Sequence, residues 1–163
     1  MSPDDIPLLF HTSSRTSQRV DREELRGFLG ELTRRVARGR TITCLIANDA
    51  EVRRLNRFFR GKDQATDVLS FPPANANGLA GGLAGDIAIS IDRARIQAAE
   101  HGHSLPDELR ILMLHGALHL AGMDHESDSG EMARAESRWR KKLGLPDGLI
   151  ERTKLTIRKK AKP

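Results

Sequence analysis

The sequence predicts an α+β domain, a sheet of about four strands with helices packed around it. Three observations lead there. Four short segments are rich in β-branched residues or alternate apolar with polar side chains. Five longer segments repeat apolar residues every three or four positions. The two kinds are mixed along the chain without three or more regular βαβ units, and no internal repeat is visible. At 163 residues, one domain is expected.

The elements follow in order. Residues 5–13 read as an edge strand, because Pro7 is tolerated where no partner needs its missing N–H. Asp21, with Glu24 three positions on, starts a helix carrying Leu25, Phe28, Leu29, Leu32 and Val36, and Gly39 suits its exit. Thr41–Ala47 is a buried strand. Asn48 or Asp49 caps a helix bearing Val52, Leu55, Phe58 and Phe59. Thr66–Phe71 is a short strand stopped by Pro72 and Pro73, and residues 72–84, rich in Gly, Ala, Asn and Pro, form a loop. Residues 85–91 alternate as a strand. A helix spans about Asp92 to His101, and another begins at Pro106, a residue suited to a first turn. Its buried stripe is Leu109, Leu112, Met113, Gly116 and Leu120. Asp128 and Glu131 open a last helix whose inner face is Met132, Ala135, Trp139 and Leu143.

Composition excludes several function classes. No apolar run approaches the roughly 20 residues that cross a bilayer, and the acidic start Met1-Ser2-Pro3-Asp4-Asp5 lacks the order of a secretory signal. Cys44 is alone in an apolar run and reads as a small buried hydrophobe. A cytoplasmic chain with no membrane partner is expected. Net charge is +5, and residues 151–163 hold six basic side chains against one acid, so the whole excess lies in that segment. The expected division is a domain over 1–150 and a disordered basic tail over 151–163. Within the domain, residues 53–62 carry five basic side chains and no acid, beside Phe58 and Phe59. Arg53, Arg57 and Lys62 are therefore candidates for contact with a phosphate backbone.

The chemistry is concentrated in His115-Gly116-Ala117-Leu118-His119-Leu120-Ala121-Gly122-Met123-Asp124-His125. His115 and His119, four residues apart, project from one helical face. Gly122 can take the left-handed conformation that closes the helix, which lets His125 return a third nitrogen to the same point. Three imidazoles leave one tetrahedral position open, the pattern of catalytic rather than structural zinc. The spacing coincides with that of the metzincin proteases. Those carry glutamate as general base directly after the first histidine, where this chain has Gly116. A phosphodiester substrate with cationic assistance suits such a site better than a peptide. Asp124 is a candidate partner for the far N–H of a ligand imidazole, or else a capping carboxylate. Asp67 and Asp86 read as structural acids bonded to backbone.

The histidine segment does not stand alone. Together with Asn56-x-x-x-Arg60-Gly61-Lys62-Asp63, Thr66-Asp67-Val68-Leu69-Ser70-Phe71-Pro72 and Gly85-Asp86-Ile87, it resembles the YbeY family of bacterial metal-dependent endoribonucleases. The resemblance is ordered along the chain over roughly residues 40–145. It implies a single-strand-specific RNase with one zinc ion per chain, acting in ribosomal RNA maturation at the 3′ end of the small-subunit rRNA and in ribosome quality control. It also implies rRNA and the ribosome or its proteins as partners, and no DNA. His115, His119 and His125 match the family's zinc ligands, and Arg60 its functionally important arginine at the cleft mouth. Met123, where an aromatic is common in the family, is a departure, as are the loop at 74–84 and the basic tail. Two rival readings remain at this stage: a metzincin-like metalloprotease, and a non-catalytic ribosome assembly factor with structural zinc.

Overall fold

The computed structural model describes residues 5–12, 20–74, 82–146 and 148–152. Among these, four strands and five helices of eight or more residues run β1 (Leu8–His11), α1 (Arg22–Arg35), β2 (Thr41–Ala47), α2 (Asp49–Arg60), β3 (Val68–Phe71), β4 (Leu83–Ser90), α3 (Ile91–His101), α4 (Leu105–Leu120) and α5 (Glu131–Leu143). A short helical turn, 149–152, follows. The α+β expectation and the four-stranded sheet hold. Of the loop expected over 72–84, residues 75–81 lie outside the described residues, as does the tail beyond 152. Leu83 and Ala84 already belong to β4, where Thr41 pairs with Leu83, so the strand starts two residues before the expected Gly85.

The sheet order is β1-β2-β4-β3, with β1, β2 and β4 parallel and β3 antiparallel to β4. Parallel neighbours need crossovers, and α1 and α2 lie in them. β1 and β3 form the edges. Alternation along the strands divides the apolar side chains between two faces. Ile42, Cys44, Ile46, Ile87 and Ile89 join Leu25, Leu29 and Leu32 of α1 and the apolar residues of α4 in the main core. Ala47, Leu69 and Ala88 face the other way, against Val52 and Leu55 of α2.

Local chemistry sets the helix starts. Asp21 Oδ1 accepts from the N–H groups of Glu23 and Glu24, Asn48 Oδ1 from Glu51, and Ser104 Oγ from Asp107. Asp128 accepts from Met132 N–H while Gly130 takes the cap position, so the final helix begins at Glu131. α4 differs from expectation in one respect. Instead of one apolar stripe it is buried almost all round, from Glu108 to Leu118, because it runs between the sheet, α1, α3 and α5.

The boundary expected at residue 150 falls inside the last helical turn. Arg152, counted from sequence among the tail cations, is only 4% exposed and donates from Nη1 to Glu108 Oε1 at 2.6 Å, with Nη2 paired to Oε2. Gln97 Oε1 accepts a further bond at 3.1 Å. Glu151, the segment's one acid, accepts from Arg140 Nε. The chain up to residue 152 is therefore part of the packed domain.

Candidate metal centre

α4 brings His115 and His119 to one side of its C-terminal turn. Gly122, at φ 93°, then sends the chain back so that His125 meets them. One ligand nitrogen from each of the three lies within 4.8 Å of the others. The Nε2 atoms of His115 and His119 are 3.2 Å apart. Ligand bonds of about 2.05 Å at tetrahedral angles place neighbouring nitrogens about 3.3 Å apart, so the spacing fits a shared cation. Burial, followed by the two neighbouring imidazoles, holds His119 below the ordinary histidine range, which keeps its lone pair free. Among the described residues no fourth side chain joins the cluster. The three imidazoles fit a divalent cation such as zinc, and all three line one cleft.

Sequence reasoning missed the residue that orients this cluster. Glu136 of α5 is 1% exposed; its Oε2 lies 2.8 Å from His115 Nδ1 and its Oε1 accepts from Ile150 N–H at 2.8 Å. A carboxylate accepts, so the imidazole proton belongs on Nδ1 and the Nε2 lone pair faces the cluster. Glu136 thus fills, for His115, the role the sequence offered to Asp124, while Asp124 makes the bonds of the alternative reading, a capping carboxylate. Asp124 spends its oxygens on its own turn, accepting from Glu126 N–H and Ser127 Oγ, which together hold its carboxyl below the usual range. A signal for Glu136 was present: it falls on the inner face of α5, between Met132 and Trp139, where a lone acid needs a buried partner.

The histidines open into a cleft of about 1110 Å³ running along edge strand β3. Val68, Ser70 and Phe71 of β3, Phe59 and Arg60 at the end of α2, and Leu149 and Ile150 also line it. Asp67 also lines it, but accepts from Val68 N–H and Gln97 Nε2 and so acts structurally; Asp86 is exposed. Of the basic candidates, only Arg60 lines this cleft. Arg53 and Arg57 border a smaller groove with Asp63, where Arg53 Nε pairs to Asp63 Oδ1 at 2.8 Å, and Lys62 is exposed.

Gly116 settles what the position after the first ligand can do. A Cβ built there would lie 2.9 Å from Ile87 Cδ1, so the position faces the sheet rather than the cleft. Ser70 Oγ donates to the Gly116 carbonyl at 3.2 Å, fixing β3 against the ligand helix at that close approach. A protease-type glutamate at 116 would have neither room nor line of sight to the histidines.

The family model for the endoribonuclease YbeY matches residues 11–144. The chain belongs to the YbeY family. Among YbeY relatives, the "Endoribonuclease YbeY" of Solibacter usitatus is 53% identical over 151 residues, covering 93% of this chain and 97% of its own. That of Koribacter versatilis is 57% identical over 121 residues, covering 74% of this chain and 76% of its own. A solution structure of a Thermotoga maritima protein aligns with a TM-score of 0.55 at 26% identity, over 82% of this chain and 85% of that one. YbeY members are endoribonucleases, hydrolases of RNA phosphodiester bonds, and this chain carries a histidine triad able to bind a metal ion.

Proposed function

We propose that this chain is a zinc-dependent, single-strand-specific endoribonuclease that matures the 3′ end of small-subunit rRNA and takes part in ribosome quality control. One observation carries the catalytic reading. Three converging imidazoles, with no fourth side-chain ligand among the described residues, line the same cleft as Arg60, which has no ion-pair partner among the described residues. What zinc supplies when bound there is Lewis acidity, toward water or a phosphoryl oxygen. The chain's own groups do the rest. Arg60 binds the scissile phosphate and offsets the charge that gathers on its oxygens. Glu136 holds His115 in the ligating tautomer. β3 bounds the strand path along the cleft.

An open site argues against purely structural zinc, and the direction of Gly116 argues against proteolysis. No helix among the described residues is long and apolar enough to cross a membrane. In this reading the enzyme works in the cytoplasm and meets rRNA and ribosomal proteins rather than DNA. The test is elemental analysis of the purified full chain, with cleavage of single-stranded RNA, duplex RNA and casein before and after chelation. The expectation is one zinc per chain, chelator-sensitive cleavage of single-stranded RNA alone, and an Arg60→Glu protein that keeps its zinc while losing cleavage. Casein hydrolysis, or RNA cleavage indifferent to chelation, would refute it.

A further inference from the structure

Two of the five phenylalanines lie in water. Phe58 is 74% and Phe59 62% exposed, side by side at the end of α2. Val52 and Asn56 of α2 are buried, and Phe59, at the same helical spacing, lines the cleft while staying largely exposed. The rings are not scattered. Phe58 meets Phe59 edge-on at 4.9 Å, and Phe59 meets Phe71 of β3 at 5.3 Å with the planes 54° apart. A series of three rings therefore leads from solvent to the cleft wall.

Single exposed apolar residues need no explanation, so exposure alone carries nothing. What distinguishes this pair is its setting. Upstream on α2, cations are matched: Arg54 with Glu51, Arg53 with Asp63. Next to the rings, Arg60 and Lys62 have no ion-pair partner among the described residues, and Arg60 shares the cleft with the imidazoles. Free π-faces interleaved with unmatched cations, opening on a phosphodiester-cleaving site, complement a flexible polyanion that carries flat rings.

We infer that Phe58 and Phe59 form a stacking platform for unpaired nucleobases of the RNA whose phosphate Arg60 holds at the metal centre. The inference rests on the endoribonuclease reading above and adds to it a physical source of single-strand preference. A base can lie on a phenyl face only when it is unstacked from its neighbours, and bases locked in an A-form duplex are not. Stacking is tolerant of sequence because every base has a π-face, so the platform selects strandedness and not sequence.

The experiment uses the zinc-loaded full chain and steady-state cleavage of a mixed-sequence single-stranded RNA, with inorganic polyphosphate as a competitor that has charge but no bases. Phe58→Leu and Phe59→Leu, separately and together, keep apolar bulk but remove the ring; Phe58→Trp and Phe59→Trp keep a π-face. Each Leu variant is expected to raise KM about tenfold, the loss falling on KM rather than kcat. The Trp variants should retain or lower KM, and inhibition by polyphosphate should stay the same throughout. RNA carrying 2-aminopurine beside the cleaved bond should show quenching with wild type that the Leu variants lose. An unchanged KM in the double Leu variant, with wild type still cleaving RNA, would overturn the platform and leave the nuclease reading standing; the rings would then serve another partner, such as a protein. Equal weakening of polyphosphate would also overturn it, by showing that only charge had been disturbed. A wild-type chain that does not cleave RNA would overturn both.

Discussion

A methyl group added at Gly148, which touches no ligand histidine, should weaken metal binding. Its Cβ would lie 2.5 Å from Glu136 Oε1, 3.1 Å from Cγ and 3.2 Å from Cδ. Comfortable contact for such atoms is about 3.5 Å, so the carboxylate must retreat by roughly 1 Å. The two hydrogen bonds it accepts, from His115 Nδ1–H and from Ile150 N–H, are each 2.8 Å. Such a retreat takes both beyond useful range. Losing the outer partner of a ligand imidazole costs about 10- to 100-fold in metal affinity, or about 1.4–2.8 kcal/mol. Leaving a buried carboxylate short of partners costs the fold about another 1–3 kcal/mol. The assay is zinc competition against a chromophoric chelator for wild type, Gly148→Ala and Glu136→Gln, with thermal melts in excess chelator to report the fold separately. Gly148→Ala and Glu136→Gln should lose affinity alike, because one displaces the carboxylate and the other removes its charge. A Gly148→Ala protein that melts lower yet binds zinc within twofold of wild type would refute the coupling, since the turn would have moved while Glu136 kept its hold on His115.

Three further outcomes are expected. His119→Ala should lose stoichiometric zinc by elemental analysis and lose RNA cleavage while retaining the wild-type far-UV spectrum; zinc retained at one per chain would refute the triad. Arg152→Ala, which strands Glu108 as an unpaired buried carboxylate, should cost about 3–5 kcal/mol in urea unfolding, and the double replacement Glu108→Leu/Arg152→Met should cost clearly less. Burial pushes the Cys44 thiol up to about 12, so it should resist thiol reagents at pH 8 until the chain is unfolded. The sign at alkaline pH follows: the unfolded thiol releases its proton from about pH 8.5 upward while the folded one keeps it. Stability from this group therefore falls as pH rises toward 12, which urea titrations of wild type against Cys44→Ala measure.

Much of the site could be read in the chain because its parts are local. His115, His119, Gly122 and His125 occupy eleven residues, and helical pitch together with one left-handed glycine brings their nitrogens together with little help from elsewhere. Caps at Asp21 and Asn48, the β-branched run of β2 and the alternation of β4 are local in the same sense. Arg60 is different. Nothing in its neighbourhood distinguishes it from Arg53 or Arg57, and its match to a family motif singled it out before the cleft did.

What the sequence determined by itself is thus the chemistry available: three imidazoles on a helix-and-turn, a basic helix end with two phenyl rings, an α+β pattern and a family. Only the tertiary structure decided how these are deployed. It supplied Glu136, from a separate helix, as the partner of His115. It drew Arg152 out of the apparent tail into a buried pair with Glu108. It turned Gly116 toward Ile87 and brought Phe59 and Arg60 into one cleft with the histidines. The reason is common to all four. Spacing specifies the direction of a side chain relative to its own helix or strand. Which groups from distant segments it meets depends on sheet order and on how helices pack over it, and no local pattern encodes those.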